Sequence, residues 1–142
     1  MTMRSPDYQV DHALAAECPR DISLRMFARM TEVRAFERQV IAAVKRKAIT
    51  TNVYLSTGQE ALAAALSVSE ARHYLVFAQH RAHDIFLAFG GDPARLRDEL
   101  LGRPSGTSGG RAGSNCLQWH EDGTRMFGHH GLIGENASLA VG

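Results

Sequence analysis

The sequence predicts an α/β fold, a parallel sheet flanked by helices, and three observations carry that expectation. Tyr74-Leu75-Val76-Phe77-Ala78 is a short, continuously apolar, β-prone run of the kind that forms a strand covered on both faces. Segments of helical periodicity stand before and after it, and alternation of strand and helix points to a parallel sheet. Twelve of the 13 glycines lie between Gly90 and Gly142, and six of the seven histidines between His73 and His130. A regular helical first half therefore gives way to Gly-rich connections that hold polar side chains.

Each element follows from local chemistry. Residues 1–20 read as a polar N-terminal extension and residues 21–142 as one domain. Asp21 is placed to cap a first helix. Met26, Met30, Val33, Val40 and Val44 recur at helical steps along one face of it, to about Lys47. The cluster Lys45-Arg46-Lys47 suits the negative end of that helix. Residues 49–55 read as an extended connection. Thr57-Gly58-Gln59-Glu60 has the form of a capping box, Thr57 at N-cap and Glu60 three residues on, opening a helix to Val68. After the strand, Asp84 to Phe89 reads as a helix stopped by Gly90-Gly91. Asp92-Pro93 caps and starts another, ended by Gly102. Residues 103–125 read as a long loop, a lid or a disordered stretch, with little to bury. Residues 126–133 re-enter the structure, and Glu135 to Val141 begins a last helix. Because that helix is cut short, the sequence is expected to be a fragment, or one piece of a split protein.

Composition excludes several classes. The 142 residues carry 16 Lys+Arg against 15 Asp+Glu, so no strong field favours nucleic acid or a membrane surface. No apolar stretch approaches the roughly 18 residues of a spanning helix. The acidic, apolar-poor start resembles neither a signal nor a transit peptide. Cys18 and Cys116 are too few for a disulfide framework, which makes a reducing, cytoplasmic setting the expectation.

The strongest local feature is His80-Arg81-Ala82-His83, directly after the strand. Ligands of open α/β sheets sit beyond the carboxyl ends of strands, and an arginine there is a fixed cationic fork for phosphate or carboxylate. A structural ion pair is the plainer use of Arg81. Metal ligation by His80, His83, Cys116, His120 and His129-His130 is a rival reading, though no pair has a zinc-finger spacing. Gly106-Thr107-Ser108-Gly109-Gly110-Arg111 lacks the Lys-Ser/Thr ending of a Walker loop and follows a helix. Cys116 has no base partner near it in sequence and reads as an ordinary thiol.

Five motifs in order resemble one family. Arg34-Ala35-Phe36-Glu37, Gly58-Gln59-Glu60-Ala61, Arg81-Ala82-His83, Gly109 to Ser114 and Gly131-Leu132-Ile133-Gly134 are similar to those of one kind of subunit. It is the α subunit of the thiamine-diphosphate-dependent decarboxylating component of 2-oxoacid dehydrogenases. The pyruvate, branched-chain and acetoin enzymes belong to that group. The match runs from near Leu24 to Gly142. It implies the amino-terminal part of a thiamine-diphosphate-binding fold. It also implies oxidative decarboxylation of a 2-oxoacid, or acetoin cleavage, with acyl transfer to a lipoyl group.

Carried over residue by residue, the resemblance implies that His80, Arg81, Gly131 and Ile133 bind the cofactor, with Arg81 on its diphosphate. His83 is implied at the active-site mouth. Tyr54 stands where many members carry a histidine, so His83 and Tyr54 are the candidate catalytic residues. His80 stands in place of the usual Tyr, Cys116 in place of a loop His, and Asp84 in place of a frequent Gly. The magnesium motif, Gly-Asp-Gly followed by Asn, is not in the sequence, so Mg2+ is expected to be bound by residues beyond this chain, with no metal ligand within it. The expected partners are a β-type subunit supplying the activating glutamate and a lipoyl-bearing acyltransferase. The alternatives are a split subunit of a transketolase-like or acyloin-forming enzyme without lipoyl transfer, and a non-catalytic assembly remnant.

Overall fold

The computed structural model describes residues 16–69, 75–114, 117–121, 124–128 and 132–142. Tyr74, Cys116, His129, His130, Gly131 and most of the polar start lie outside these. The described residues form five helices and a three-stranded sheet, a mixed architecture compatible with α/β.

Helix α1, Arg20–Lys45, begins one residue before Asp21: the N–H of Ser23 donates to the carbonyl of Pro19. Asp21 sits inside the first turn, where its charge complements the helix dipole and pairs with Arg25 at 3.2 Å. The buried face is Val33, Phe36, Glu37 and Val40, spaced i, i+3, i+4 and i+7. Val44, expected in the core, is exposed, and Phe36 takes a place there. Helix α2, Glu60–Val68, lays Ala63 and Ala64 against its neighbours, where small side chains allow close approach.

The capping box does not form. Gln59 occupies the N-cap position without a side-chain capping bond, and Glu60 is the first helical residue. Its carboxylate accepts the Gly58 N–H at 3.0 Å and pairs with Arg34 of α1. A cation 26 residues upstream has drawn the glutamate away from the local pattern.

Strand β1, Leu75–Phe77, pairs in parallel with β3, Thr124–Phe127, which pairs antiparallel with β2, Trp119–Glu121. The parallel pairing agrees with expectation. Cover on both faces does not, because Leu75 is 63% exposed and Val76 and Phe77 are half-buried. With β3 beside it and few elements over it, β1 keeps one apolar side open.

Helix α3, His83–Ala88, and helix α4, Pro93–Leu100, follow the sequence reading closely. Asp92 Oδ1 accepts the Ala94 N–H at 2.8 Å and Pro93 occupies the first turn. The short α5, Glu135–Val141, is tied to the end of β1 by Asn136, whose Nδ2 donates to the Ala78 carbonyl at 2.7 Å.

Residues 103–125 are not the featureless loop expected. Glu99, in the last turn of α4, is buried, and its carboxylate accepts four main-chain N–H groups. Ser108 and Gly110 donate at 2.7 and 2.9 Å to one oxygen, and Ala112 and Gly113 at 2.7 and 3.1 Å to the other. Gly106 is part of the same wrap: a Cβ there would stand 2.5 Å from Glu99 Oε2. Asp98 next door accepts the Ser105 hydroxyl at 2.6 Å and pairs with Arg97 and Arg103. Beyond the wrap, Leu117 and Trp119 enter the core, and the β2–β3 pair follows.

Helices α1, α3 and α4 end in the same pair of main-chain bonds, a Schellman turn that needs a left-handed residue just past the helix. Gly90 supplies it after α3 at φ 98° and Gly102 after α4 at φ 69°. After α1 the residue is Lys47, at φ 58°, with its N–H on Val44 and that of Ala48 on Ala43. A side chain in this conformation costs about 1–2 kcal/mol. Lys47→Gly is therefore expected to raise stability by about 0.5–1 kcal/mol, part of the relief being offset by greater freedom of the unfolded chain. Chemical denaturation reads this directly, and a loss of stability would contradict the assignment of strain to Lys47.

Candidate functional site

The end of β1 carries the site. Immediately past the strand, His80 lies beside the start of α5, and between them opens a cleft of about 250 Å³. Phe77, His80, Ile133, Gly134, Asn136 and Ala137 contribute to its walls. Its volume is below the roughly 300–1,000 Å³ of a complete small-molecule site, enough for a ring but not for a larger cofactor. The Tyr54 ring packs edge-on against His80, with centroids 4.9 Å apart. Tyr54, His80 and Ile133, separated in sequence, are thus gathered around one end of the sheet. Ile133 is 78% exposed, an apolar side chain with little of this chain against it. Arg81 is exposed, does not line the cleft, and makes no ion pair among the described residues. Its carbonyl accepts from Gln59 Nε2, which also donates to Asp84 at 3.2 Å. Burial pushes the Asp84 carboxyl above its ordinary value, and the bonds from Ile85 and Gln59 offset only part of that.

Asn136 is a site residue that the sequence reading missed. Its Nδ2 is committed to the Ala78 carbonyl, which can only accept, so its Oδ1 is a buried acceptor without a partner among the described residues. The only local signal was an asparagine in the first turn of the last helix.

His83 is not at a mouth. It is fully buried at the start of α3 and held from both sides. Nδ1 lies 3.3 Å from Glu37 Oε1 and Nε2 lies 2.9 Å from Ser114 Oγ. The same Glu37 oxygen accepts the Ser56 N–H at 2.8 Å and the Ser56 hydroxyl at 2.7 Å, while Oε2 has no partner among the described residues. Burial would raise the Glu37 carboxyl, but its interactions with His83 and its two bonds from Ser56 outweigh that and hold it below the ordinary value. The order Glu37, His83, Ser114 has the topology of an activated serine. Here Ser114 and His83 are both wholly buried, and Ser114 Oγ accepts the main-chain N–H of Tyr54 at 3.1 Å, leaving no place for an acyl substrate.

Of the residues in the rival ligand reading, Cys116, His129 and His130 lie outside the described ones, and the other three stand apart. His80 lines the cleft, His83 is enclosed, and His120 accepts from Arg125 across the β2–β3 pair. Among the described residues no three His, Cys, Asp or Glu are grouped to hold a metal ion. No described helix is long and apolar enough to cross a membrane.

Comparison with known proteins decides the family. The profile of the dehydrogenase E1 component family matches residues 28–142. The chain belongs to that family. Among its relatives, the mitochondrial pyruvate dehydrogenase E1 component subunit alpha of Solanum tuberosum is 32% identical over 124 residues, covering 87% of this chain and 31% of the relative. The pyruvate dehydrogenase E1 component subunit alpha of Zymomonas mobilis is 32% identical over 124 residues, 87% of this chain and 34% of the relative. The mitochondrial subunit alpha of Saccharomyces cerevisiae is 28% identical over 129 residues, 91% and 30% of the two chains. The chain spans about a third of the length of these relatives. In this member of the E1 component family, four of the five motifs lie wholly on described residues, and the fifth, Gly131 to Gly134, lies on them from Leu132. Three of them meet at the buried contact of Glu37, His83 and Ser114, and Leu132-Ile133-Gly134 lines the cleft beyond β1.

Proposed function

We propose that the protein is an α-subunit-type component of a thiamine-diphosphate-dependent 2-oxoacid dehydrogenase, with pyruvate the first substrate to test. The observation that carries this reading is the cleft at the carboxyl end of β1, in a chain whose family and relatives are of this kind. The finer assignment of a thiamine-diphosphate-binding fold rests on the same two supports. The family match weighs against the transketolase-like and assembly-remnant alternatives.

The residues present fit part of the cofactor. Apolar walls from Phe77 and Ile133, with the unpartnered acceptor of Asn136, suit a flat ring that carries an amino group. Arg81, next to His80 and without an ion pair among the described residues, suits phosphate oxygens outside the ring's cleft. When bound, thiamine diphosphate supplies the electron sink for breaking the bond beside a 2-oxo group, which no side chain provides. In this reading His80 and Ile133 orient the ring, Arg81 anchors the charge, and Tyr54 braces His80; Gly131, outside the described residues, is assigned to the ring by its motif alone. Mg2+, the activating glutamate of a β-type subunit, and the lipoyl-bearing acyltransferase that receives the acyl group come from outside this chain.

The test is calorimetric titration of thiamine diphosphate with magnesium into the assembled enzyme. Arg81→Ala is expected to cost about 1.5–3 kcal/mol of cofactor binding, a charge-assisted contact being lost. His80→Ala is expected to cost about 0.5–1.5 kcal/mol. Equal losses for the two would make Arg81 structural and remove the main support for the diphosphate assignment.

A further inference from the structure

We infer that Glu37, His83 and Ser114 are positioning residues for the cofactor cleft, acting through the main chain of Tyr54 to set the ring of His80. The inference rests on the functional reading above for its purpose, and on geometry alone for its mechanism. The hydrogen bonds form one unbroken path. Glu37 Oε1 meets His83 Nδ1 at 3.3 Å, His83 Nε2 meets Ser114 Oγ at 2.9 Å, and Ser114 Oγ accepts the Tyr54 N–H at 3.1 Å. From Tyr54 the path continues as an edge-on ring contact to His80, which lines the cleft.

With His83 neutral, donor counting gives the path one polarity. The Glu37 carboxylate accepts from His83 Nδ1–H, Nε2 is then the acceptor for the Ser114 hydroxyl hydrogen, and the Ser114 oxygen is free to accept from Tyr54. No link can be reversed without orphaning a buried group, and Glu37, His83 and Ser114 are all fully buried, so water cannot repair a broken one. Both ends of the path are anchored. Glu37 also holds the N–H and hydroxyl of Ser56, two residues past Tyr54. Ser114 follows Gly113, whose N–H is fixed on Glu99. The segment 54–56 is therefore gripped at both ends by polar groups from α1 and from the Gly-rich wrap, and Tyr54 has little freedom to move its ring away from His80.

The test uses the full chain carrying 13C at histidine Cε1, with Ser114→Ala as the variant. The His80 Cε1–H resonance is expected to shift, because Tyr54 stands edge-on to that ring and its ring current changes when its main chain is released. Exchange of the Tyr54 amide is expected to speed up about 2–10-fold, the equivalent of one lost hydrogen bond. Glu37→Asp, one methylene shorter and still charged, withdraws the carboxylate from His83 and gives a second route to the same readout if Ser114→Ala does not fold. A merely structural role would lower the melting temperature of a folded variant and leave the His80 resonance in place. An unchanged His80 resonance in whichever variant folds overturns the inference. Thiamine diphosphate with magnesium is titrated separately into the assembled enzyme. Failure of the unmodified assembly to bind would sink the functional reading and leave the relay to be judged by the His80 signal alone.

Discussion

Glu99→Ala is expected to lower the unfolding free energy by about 3–5 kcal/mol and to open residues 103–114 to trypsin at Arg103 and Arg111. The carboxylate accepts four main-chain N–H groups in a buried position. Each N–H left without an acceptor costs about 1–3 kcal/mol unless water reaches it, so partial rehydration sets the lower end of the range. That is a large fraction of the stability of a small domain. Glu99→Gln keeps one accepting oxygen and turns an NH2 toward the other two donors, so it should fall between. Burial would raise the Glu99 carboxyl, but the four N–H bonds together hold it below its ordinary value near 4.5. A group with a depressed folded value stabilises fully above its unfolded value and loses that contribution as pH falls through the folded one. Stability should therefore decline below about pH 4.5, and Glu99→Ala should remove part of that decline. Urea titrations at two pH values and timed digestion read both effects. A loss under about 1 kcal/mol with unchanged cleavage would mean that the wrap is held by something else.

Glu37→Ala is expected to cost about 3 kcal/mol or more, because it strands His83 Nδ1 and both donors of Ser56 inside the core and leaves a cavity beside Phe36 and Val40. Glu37 also sits below its ordinary value of about 4.5, so its contribution is lost over the same acid range and with the same sign. Glu37→Gln retains an oxygen for Ser56 and should be milder. Thermal melts of the two variants check the order. If Glu37→Ala were no worse than Glu37→Gln, the contacts of Glu37 would carry little of the fold's stability.

These two glutamates mark the boundary between what was legible in the sequence and what was not. Where a local pattern had no competitor, it predicted the structure: Asp92-Pro93 caps α4, and Gly90 and Gly102 end α3 and α4. Where a distant group competed, it failed: Glu60 turned from the Thr57 capping box to Arg34. The two burials still left traces. Glu37 interrupts an otherwise apolar face at Val33, Phe36 and Val40. Asp98-Glu99 puts two negative charges at the helix end whose dipole disfavours them. Each is a local rule broken, which signals a partner elsewhere without naming it.

The sequence by itself determined the helical first half, the strand and polar turn at residues 75–83, a mix of helix and sheet compatible with α/β, and the family, because order and spacing of short motifs survive without coordinates. Only the tertiary structure decided that residues 103–114 wrap a buried carboxylate, that His83 is enclosed rather than at a mouth, and that Asn136 joins His80 and Ile133 at one cleft. The physical reason is that these arrangements are made by hydrogen bonds between residues 9 to 14 positions apart in the wrap and 31, 46 and 58 positions apart elsewhere. Periodicity and capping act within a few residues, whereas a buried carboxylate or imidazole takes whichever donors and acceptors the packed chain brings to it.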